Sequence, residues 1–381
     1  MKVLLVSEPG VDGVFRHVER LCHFLLEHGH EVLLAYSTRR GSDRLYQLIT
    51  ELESRRFPTL DLKVENAPGP GDLPAFLALW RFQQKHRPDV IHGHSSKAGF
   101  LVRALRLVGA HQPLLYTPHA YYRMNDPHNA KARFFHTCER VLGHIGSTVN
   151  IGGSESAFAR TALGIPPARQ FMILNGVDCA RFAPADAETK QKLRAELGIP
   201  AGAKVLGSVG RCSAQKDPLT MYRAVQLAHE QHPDLYFLHV GQGEFAEDVD
   251  AFSASHAMGA WSKRLPYLPQ PDSFYKMLDG FILSSLYEGM SYATLEAIST
   301  GLPLILTRAP GNEDFDHFGL SHVFLGEPRD PESLSTAIDQ WHGSLARLSN
   351  HRQIASDRFN EQTCFEELLD AYRKCLGHPA P

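Results

Sequence analysis

One local pattern recurs along this chain and restricts its fold more than any other feature. A short, unbroken apolar run is followed by a turn-rich loop and then by residues at helical spacing. Val3–Val6 is the first such run, Ser7–Gly13 the loop, and Val14, Val18, Leu21, Cys22 and Leu25 the helical face, which stops near Gly29. A strand buried on both faces reads as a continuous hydrophobic run, as in parallel sheets covered by helices. The pattern continues with a strand at Glu31–Tyr36, a helix over Pro74–Lys85, and strands at Asp89–His92, Leu114–Thr117 and Phe171–Leu174. It pauses at Ala183–Asp186, then restarts with strands at Lys204–Val209, Leu235–Val240, Gly280–Leu283 and Leu304–Thr307 and helices at Pro218–Glu230 and Tyr292–Ser299. Strand–helix alternation of this kind builds doubly wound α/β domains. A chain of 381 residues has room for two. The last segment sets Phe365, Leu368, Leu369, Tyr372 and Leu376 on one helical face, which needs a surface to dock on.

Composition excludes several classes. Lys plus Arg is 39 and Asp plus Glu is 42, so the formal net charge is −3, without the basic excess of a nucleic-acid binder. The 6 cysteines include no Cys-x-x-Cys pair, which argues for reduced thiols and a cytoplasmic protein. No run is long and apolar enough to span a bilayer. The 21 histidines are an excess that calls for a reason.

In doubly wound domains ligands bind beyond the carboxyl ends of the strands, and in a tandem pair the cleft between domains is the first place to look. The loops after strands therefore carry the candidates. Gly10-Val11-Asp12-Gly13 is a glycine loop before a helix, suited to a phosphate but equally to a plain turn. Gly210–Lys216 places Arg211 and Lys216 beside a helix start, where a fork and a point charge can hold a diphosphate; two solvated cations explain the loop as well. Ser285–Ala297 sets Glu288 in a loop and Glu296 eight residues later in a helix, two acceptors for sugar hydroxyls around a helix N-terminus. His119 directly follows a strand. His92-Gly93-His94 has metal-ligand residue types, but the strand end is expected to turn the two rings to opposite faces, and no third ligand is in view, so no metal is expected. Asp248-Val249-Asp250 reads as a solvated helix face, and Gly241-Gln242-Gly243 as a turn. Tyr121, Tyr122, Arg123, Lys131, Arg133, Phe134, Phe135 and Arg140 suit either an anionic membrane surface or an ordinary amphipathic helix.

In this order the phrases resemble the family 4 retaining glycosyltransferases of the GT-B fold. They are Gly10–Gly13, Val90–Ser95, Pro118-His119-Ala120, Asn175-Gly176-Val177-Asp178, Gly210-Arg211 to Lys216, and Glu288-Gly289-Met290 through Glu296-Ala297 to Gly301-Leu302-Pro303. The resemblance implies two facing Rossmann-like doubly wound domains with a central cleft. Residues 1–183 would bind the acceptor and 184–361 the nucleotide-sugar donor, with 362–381 a helix crossing back to the first domain. Arg211 and Lys216 would hold the donor diphosphate, Glu296 the ribose, and Glu288 the donor sugar together with Gly289, Met290, Ser291 and Tyr292. Gly13 would let the backbone approach the diphosphate, and His119 would sit beside the transferred sugar. His17, His94, Tyr121 and Arg123 are placed on the acceptor side. The implied reaction is metal-independent and without cofactor: retaining transfer from a nucleotide-diphosphate sugar, UDP being the most prevalent, to a saccharide or polyprenyl-linked glycolipid. It would occur in the cytoplasm, peripherally at the inner face of the cell membrane, in surface-polysaccharide synthesis. A nucleotide-sugar epimerase of the same architecture and a non-catalytic nucleotide-binding pseudoenzyme are the alternatives.

Overall fold

The structure is a computed structural model that describes residues 1–126, 128–268, 270–344 and 349–377. The chain divides into two compact units, Met1–Asn175 with the terminal segment from Gln362, and Gly176–Glu361.

The first unit holds β1 (Lys2–Ser7), β2 (Glu31–Tyr36), β3 (Thr59–Asp61), β4 (Val90–His94), β5 (Leu114–Thr117), β6 (Ser147–Asn150) and β7 (Gln170–Met172). They form one sheet in the order β3-β2-β1-β4-β5-β6-β7, every pairing parallel. The second unit holds β8 (Lys204–Val209), β9 (Leu235–Val240), β10 (Ser262–Leu265), β11 (Gly280–Leu283), β12 (Leu304–Thr307) and β13 (Val323–Gly326). Their order is β10-β9-β8-β11-β12-β13, again all parallel. Both orders reverse at their first strand. The loops after β1 and β4, and after β8 and β11, therefore flank the crevice where doubly wound sheets take ligands.

Side chains alternate across a strand, and β1 shows what its apolar run is for. Val3 and Leu5 join the core under the Asp12–Glu27 helix, while Leu4 and Val6 join the core on the other face. The terminal helix, Glu361–Cys375, contributes Phe365, Leu368, Leu369, Ala371 and Tyr372 to the first of these cores. Its apolar stripe has its docking surface there.

The boundary between units falls at Asn175, before the expected break at 183. The Val177 amide donates to the Phe359 carbonyl at 2.7 Å and the Glu361 amide to the Val177 carbonyl at 3.2 Å. The Phe182 carbonyl accepts from Ser299 Oγ at 2.8 Å. Residues 176–183 are thus bonded into the second unit. The polar stretch read as a pause is a helix start: Asp186 Oδ1 caps the Ala187–Glu196 helix by accepting from the Thr189 amide at 2.7 Å. Strands β3, β6 and β10 are short and partly polar and escape a pattern search; β13, Val323-Phe324-Leu325-Gly326, is as apolar as β11 but lies outside the strands expected. No helix among the described residues is long and apolar enough to cross a membrane.

Candidate functional site

In the second unit, the loop after β8 and the loop after β11 are stitched together by backbone and side-chain bonds. The Leu286 amide donates to the Gln215 carbonyl at 2.8 Å, and Gln215 Nε2 donates to the Tyr287 carbonyl at 2.9 Å. Ser284 Oγ reaches the carbonyls of Lys216 and Asp217 at 2.7 and 2.9 Å. This clamp brings two separately read motifs into contact. The Lys216 ammonium donates to Glu288 Oε1, which also accepts from Ser285 Oγ at 2.5 Å. Glu288 is buried and Lys216 about one-fifth exposed, at 21% of its side chain. The Glu288 amide donates to the Pro310 carbonyl at 2.8 Å. Gly311, at φ +85°, lies so close that a Cβ there would stand 2.3 Å from the Glu288 carbonyl oxygen.

Ser291 caps the Tyr292–Ser299 helix, its Oγ accepting from the Thr294 amide at 3.4 Å. Gly289, Met290, Ser291 and Tyr292 are buried around that N-terminus, and Glu296 is buried within the helix. Arg211 is exposed. At the start of the next helix, Asp217 takes a left-handed φ of +45° and Pro218 occupies the first turn. The unit thus offers a helix N-terminus, a cation and a buried, oriented carboxylate along one edge, a set able to hold an anionic ligand that carries hydroxyls.

The first unit assembles histidines. Strand β4 ends in His92 and His94, whose ring centroids are 4.1 Å apart. The expected opposition of these rings is wrong: a strand repeats every two residues, so positions i and i+2 share a face. His94 Nδ1 lies 3.1 Å from His119 Nε2, and the His17 ring packs 5.2 Å from His94 and 4.9 Å from His119. One nitrogen from each of His17, His94 and His119 lies within 4.8 Å of the others. His92 spends its nitrogens on the Tyr372 hydroxyl at 2.7 Å and Thr117 Oγ1 at 2.8 Å. Burial lowers the pKa of His17 to about 4, partly offset by a hydrogen bond to Asn175. Burial, then the neighbouring imidazoles, holds His94 and His119 well below the usual histidine range. All are neutral near pH 7, able to donate and accept hydrogen bonds but not to supply charge.

The backbone at His119 is unusual. His119 and Ala120 take φ of +56° and +99°, and Ser95, after β4, takes +86°. Such conformations in non-glycine residues persist only where the surroundings hold them. Glu155 does the holding: Oε1 accepts from the Ala120 amide at 2.6 Å and Oε2 from the Ile151 amide at 2.7 Å. Sequence reading passed over Glu155. Its signal was the Gly152-Gly153-Ser154-Glu155 turn after a short strand, with an acid in the first turn of a helix.

Other candidates are placed apart. Tyr121 is a core residue, 1% exposed, its hydroxyl donating to Asn150 Oδ1 at 3.2 Å. It therefore has no face to offer an acceptor. Arg123 pairs with Asp126 at 3.3 Å on the surface. Gly13 is exposed in the first turn of the Asp12–Glu27 helix. Asp248 is exposed on the Ala246–Ser255 helix, and Asp250 pairs with Arg264, as a solvated face would.

Known proteins share this plan. Residues 11–181 match the model of Glycosyltransferase Family 4, and residues 189–353 that of Glycosyl transferases group 1. An Escherichia coli protein, UDP-Gal:alpha-D-GlcNAc-diphosphoundecaprenol alpha-1,3-galactosyltransferase, is 31% identical over 281 residues, which is 70% of each chain. HepE of Anabaena, solved in complex with UDP and glucose, aligns with a TM-score of 0.80 at 20% identity, over 98% of this chain and 100% of that one. WaaG, a glycosyltransferase involved in lipopolysaccharide biosynthesis, aligns with a TM-score of 0.73 at 14% identity, over 98% of this chain and 99% of that one. The two sheets are those of the GT-B fold. The chain belongs to the family 4 glycosyltransferases, and its chemistry is transfer of a sugar from a nucleotide sugar.

Proposed function

We propose that this chain moves a hexose from a UDP-sugar, with retention of anomeric configuration, to a hydroxyl of a polyprenyl-diphosphate-linked saccharide. The observation that carries the reading is the Lys216–Glu288 contact, which unites the cation and carboxylate motifs at one point. In this reading Lys216 and Arg211 hold the diphosphate, Glu296 the ribose, and Glu288 the donor sugar beside the Gly289–Tyr292 amides. Gly13 is assigned to the diphosphate, and His119 to the transferred sugar. Negative charge grows on the leaving diphosphate as its bond to the sugar breaks. Cations and amides fixed in advance stabilise that state more than the ground state. A departing phosphate oxygen takes the acceptor proton, so no protein base is required. A retaining hydrolase would instead need two carboxylates flanking the bond.

The acceptor class is supported by the name of the Escherichia coli relative, and the UDP donor by that name and by the HepE complex. The Ala130–Leu142 helix shows Phe134 and Val141 to solvent with Lys131, Arg133 and Arg140 in the same segment. That composition suits peripheral contact with an anionic membrane carrying a lipid-linked acceptor.

The test is a set of labelled UDP-hexoses offered with undecaprenyl-diphosphate-linked N-acetylglucosamine. Transfer dependent on that acceptor, with the donor's anomeric configuration kept in the product by NMR, is the expected result. Interconversion of the donor with no acceptor present would mean an epimerase. Donor binding without turnover would mean a pseudoenzyme.

A further inference from the structure

Strand β12 ends on Thr307, whose side chain reaches the segment that leaves the neighbouring strand β11. Thr307 Oγ1 donates to the Ser285 carbonyl at 2.5 Å. Asn312 Nδ2 donates to Thr307 Oγ1 at 3.1 Å and to the Thr307 carbonyl at 3.2 Å. Ser285 Oγ in turn donates to Glu288 Oε1. We infer that Thr307 and Asn312 are positioning residues for sugar transfer, which act through Ser285 to fix the Glu288 carboxylate with Oε1 anchored and Oε2 left for a hydroxyl of the donor sugar. The inference rests on the assignment of Glu288 to that sugar.

Each bond in this chain runs in one direction. The Thr307 carbonyl can only accept, so the Asn312 amide must present its nitrogen there and not its oxygen. The same nitrogen donates to Thr307 Oγ1, and the hydrogen of that hydroxyl goes to the Ser285 carbonyl, again only an acceptor. The Glu288 carboxylate, paired with the Lys216 ammonium, accepts the Ser285 hydroxyl. Hydroxyls free to rotate could hold several arrangements; this chain holds one.

Burial makes the arrangement hard to replace. Ser285, Thr307 and Asn312 are all 0% exposed, so water does not stand in for a lost partner. Asn312 Oδ1 is buried and takes no hydrogen bond among the described residues. Packing alone would favour an apolar side chain at that place, free of this cost. What the amide contributes is the pair of bonds it donates.

The loop after β12 thus holds Glu288 twice. The Pro310 carbonyl takes its amide at 2.8 Å, and Thr307 and Asn312 secure its carboxylate by way of Ser285. Lys216 and Ser285 both bond Oε1, which is why Oε2 falls to the sugar. A reacting group misplaced by about 1 Å can cost on the order of a hundredfold in rate, even when the change lies away from the chemistry.

The test removes single hydrogen bonds from the full chain. Thr307→Val keeps the side-chain shape and loses the hydroxyl, Asn312→Asp keeps the shape and loses both donors, and Thr307→Ser keeps the hydroxyl. Each variant is checked by circular dichroism, then measured for turnover of UDP-hexose with acceptor and for UDP affinity by calorimetry. Thr307→Val and Asn312→Asp should each lower kcat about tenfold and leave the affinity for UDP, which carries no sugar, within about twofold of wild type. Thr307→Ser should restore most of the turnover. In a Glu288→Gln background, Thr307→Val should lose most of its effect on kcat, as residues that act through one group do. Either of the two disabling variants decides the matter if the other does not fold. Wild-type kcat in a folded Thr307→Val or Asn312→Asp chain, or the full effect of Thr307→Val persisting beside Glu288→Gln, would overturn the positioning role. Wild-type kcat in Glu288→Gln alone would instead overturn the assignment of Glu288 on which that role rests.

Discussion

The ammonium of Lys216 rests on Oε1 of Glu288, a residue 72 positions later, so the cation of one loop is already neutralised by the carboxylate of the next. Each group holds the other in place. Removing the lysine leaves a buried carboxylate held by Ser285 Oγ. Lys216→Ala is expected to cost about 1–3 kcal/mol in stability, the range for a buried acceptor stripped of its partner, and to weaken donor binding at least tenfold. Glu288→Gln should keep the Ser285 contact and most of the stability while lowering kcat more than donor affinity. Calorimetric donor titration and urea unfolding of both variants separate the two roles. Equal donor affinity in wild type and Lys216→Ala would remove Lys216 from the donor site.

Glu155 reaches no ligand in the proposed mechanism; its work is to hold the His119–Ala120 turn in left-handed backbone. Glu155→Ala strips two backbone amides of their acceptor, at about 1–3 kcal/mol for each that stays dry, and lets His119 relax. Glu155→Gln can still accept one of those bonds. A fall of roughly tenfold in kcat with little change in donor KM is expected for Gln, with a lower melting temperature for Ala. A rise in KM at constant kcat would point to a binding role instead.

Gly311 tests how closely the Glu288 loop is packed. Its φ of +85° disfavours any L-side chain, and a Cβ would meet backbone rather than a movable side chain. Gly311→Ala should therefore destabilise the second unit by about 2 kcal/mol or more and displace Glu288. Unfolding followed by denaturant midpoint would show it. Wild-type midpoint and activity together would mean the loop adapts freely.

Acid should loosen the second unit through His239. Its Nε2–H donates to the Gly210 carbonyl at 3.0 Å, Nδ1 accepts from the Tyr222 hydroxyl at 3.2 Å, and burial lowers its pKa to about 4. An unfolded histidine titrates near 6.5. Between these values the unfolded chain binds the extra proton, so stability is full above about pH 6.5 and declines toward pH 4, by roughly 3 kcal/mol in all. His239→Gln, which cannot titrate, should flatten the pH dependence of the urea midpoint by about one proton. An unchanged slope would show that other groups set it.

Much of the architecture could be read because buried parallel strands announce themselves. The central strands β1, β2, β4, β5, β8, β9, β11 and β12 are apolar runs, and each was recognised. Thr59-Leu60-Asp61 is short and partly polar, and only its pairing identifies it. Arg211, Lys216 and Glu288 stand out in the sequence because they lie in loops that follow strands, and Glu296 because it lies in the helix that begins just after. Their mutual contacts do not, since nothing local in Gly210–Lys216 announces a partner 72 residues away. Tyr121 was misplaced because an aromatic beside basic residues looks like a surface until its hydroxyl is found on Asn150. His92 and His94 were misread through the strand period itself. That error hid the cluster that His92 and His94 form with His17 and His119.

The bond between Tyr372 and His92 joins residues 280 positions apart and has a bearing on synthesis. A ribosome works from the first residue to the last, so the first unit leaves it unfinished. The sheet core that needs Phe365, Leu368, Leu369 and Tyr372 waits uncovered while all of the second unit is made. At about 5–20 residues per second, that interval lasts on the order of ten seconds or more. The second unit, continuous in sequence, can fold as it emerges, and the unit translated first is the last to close.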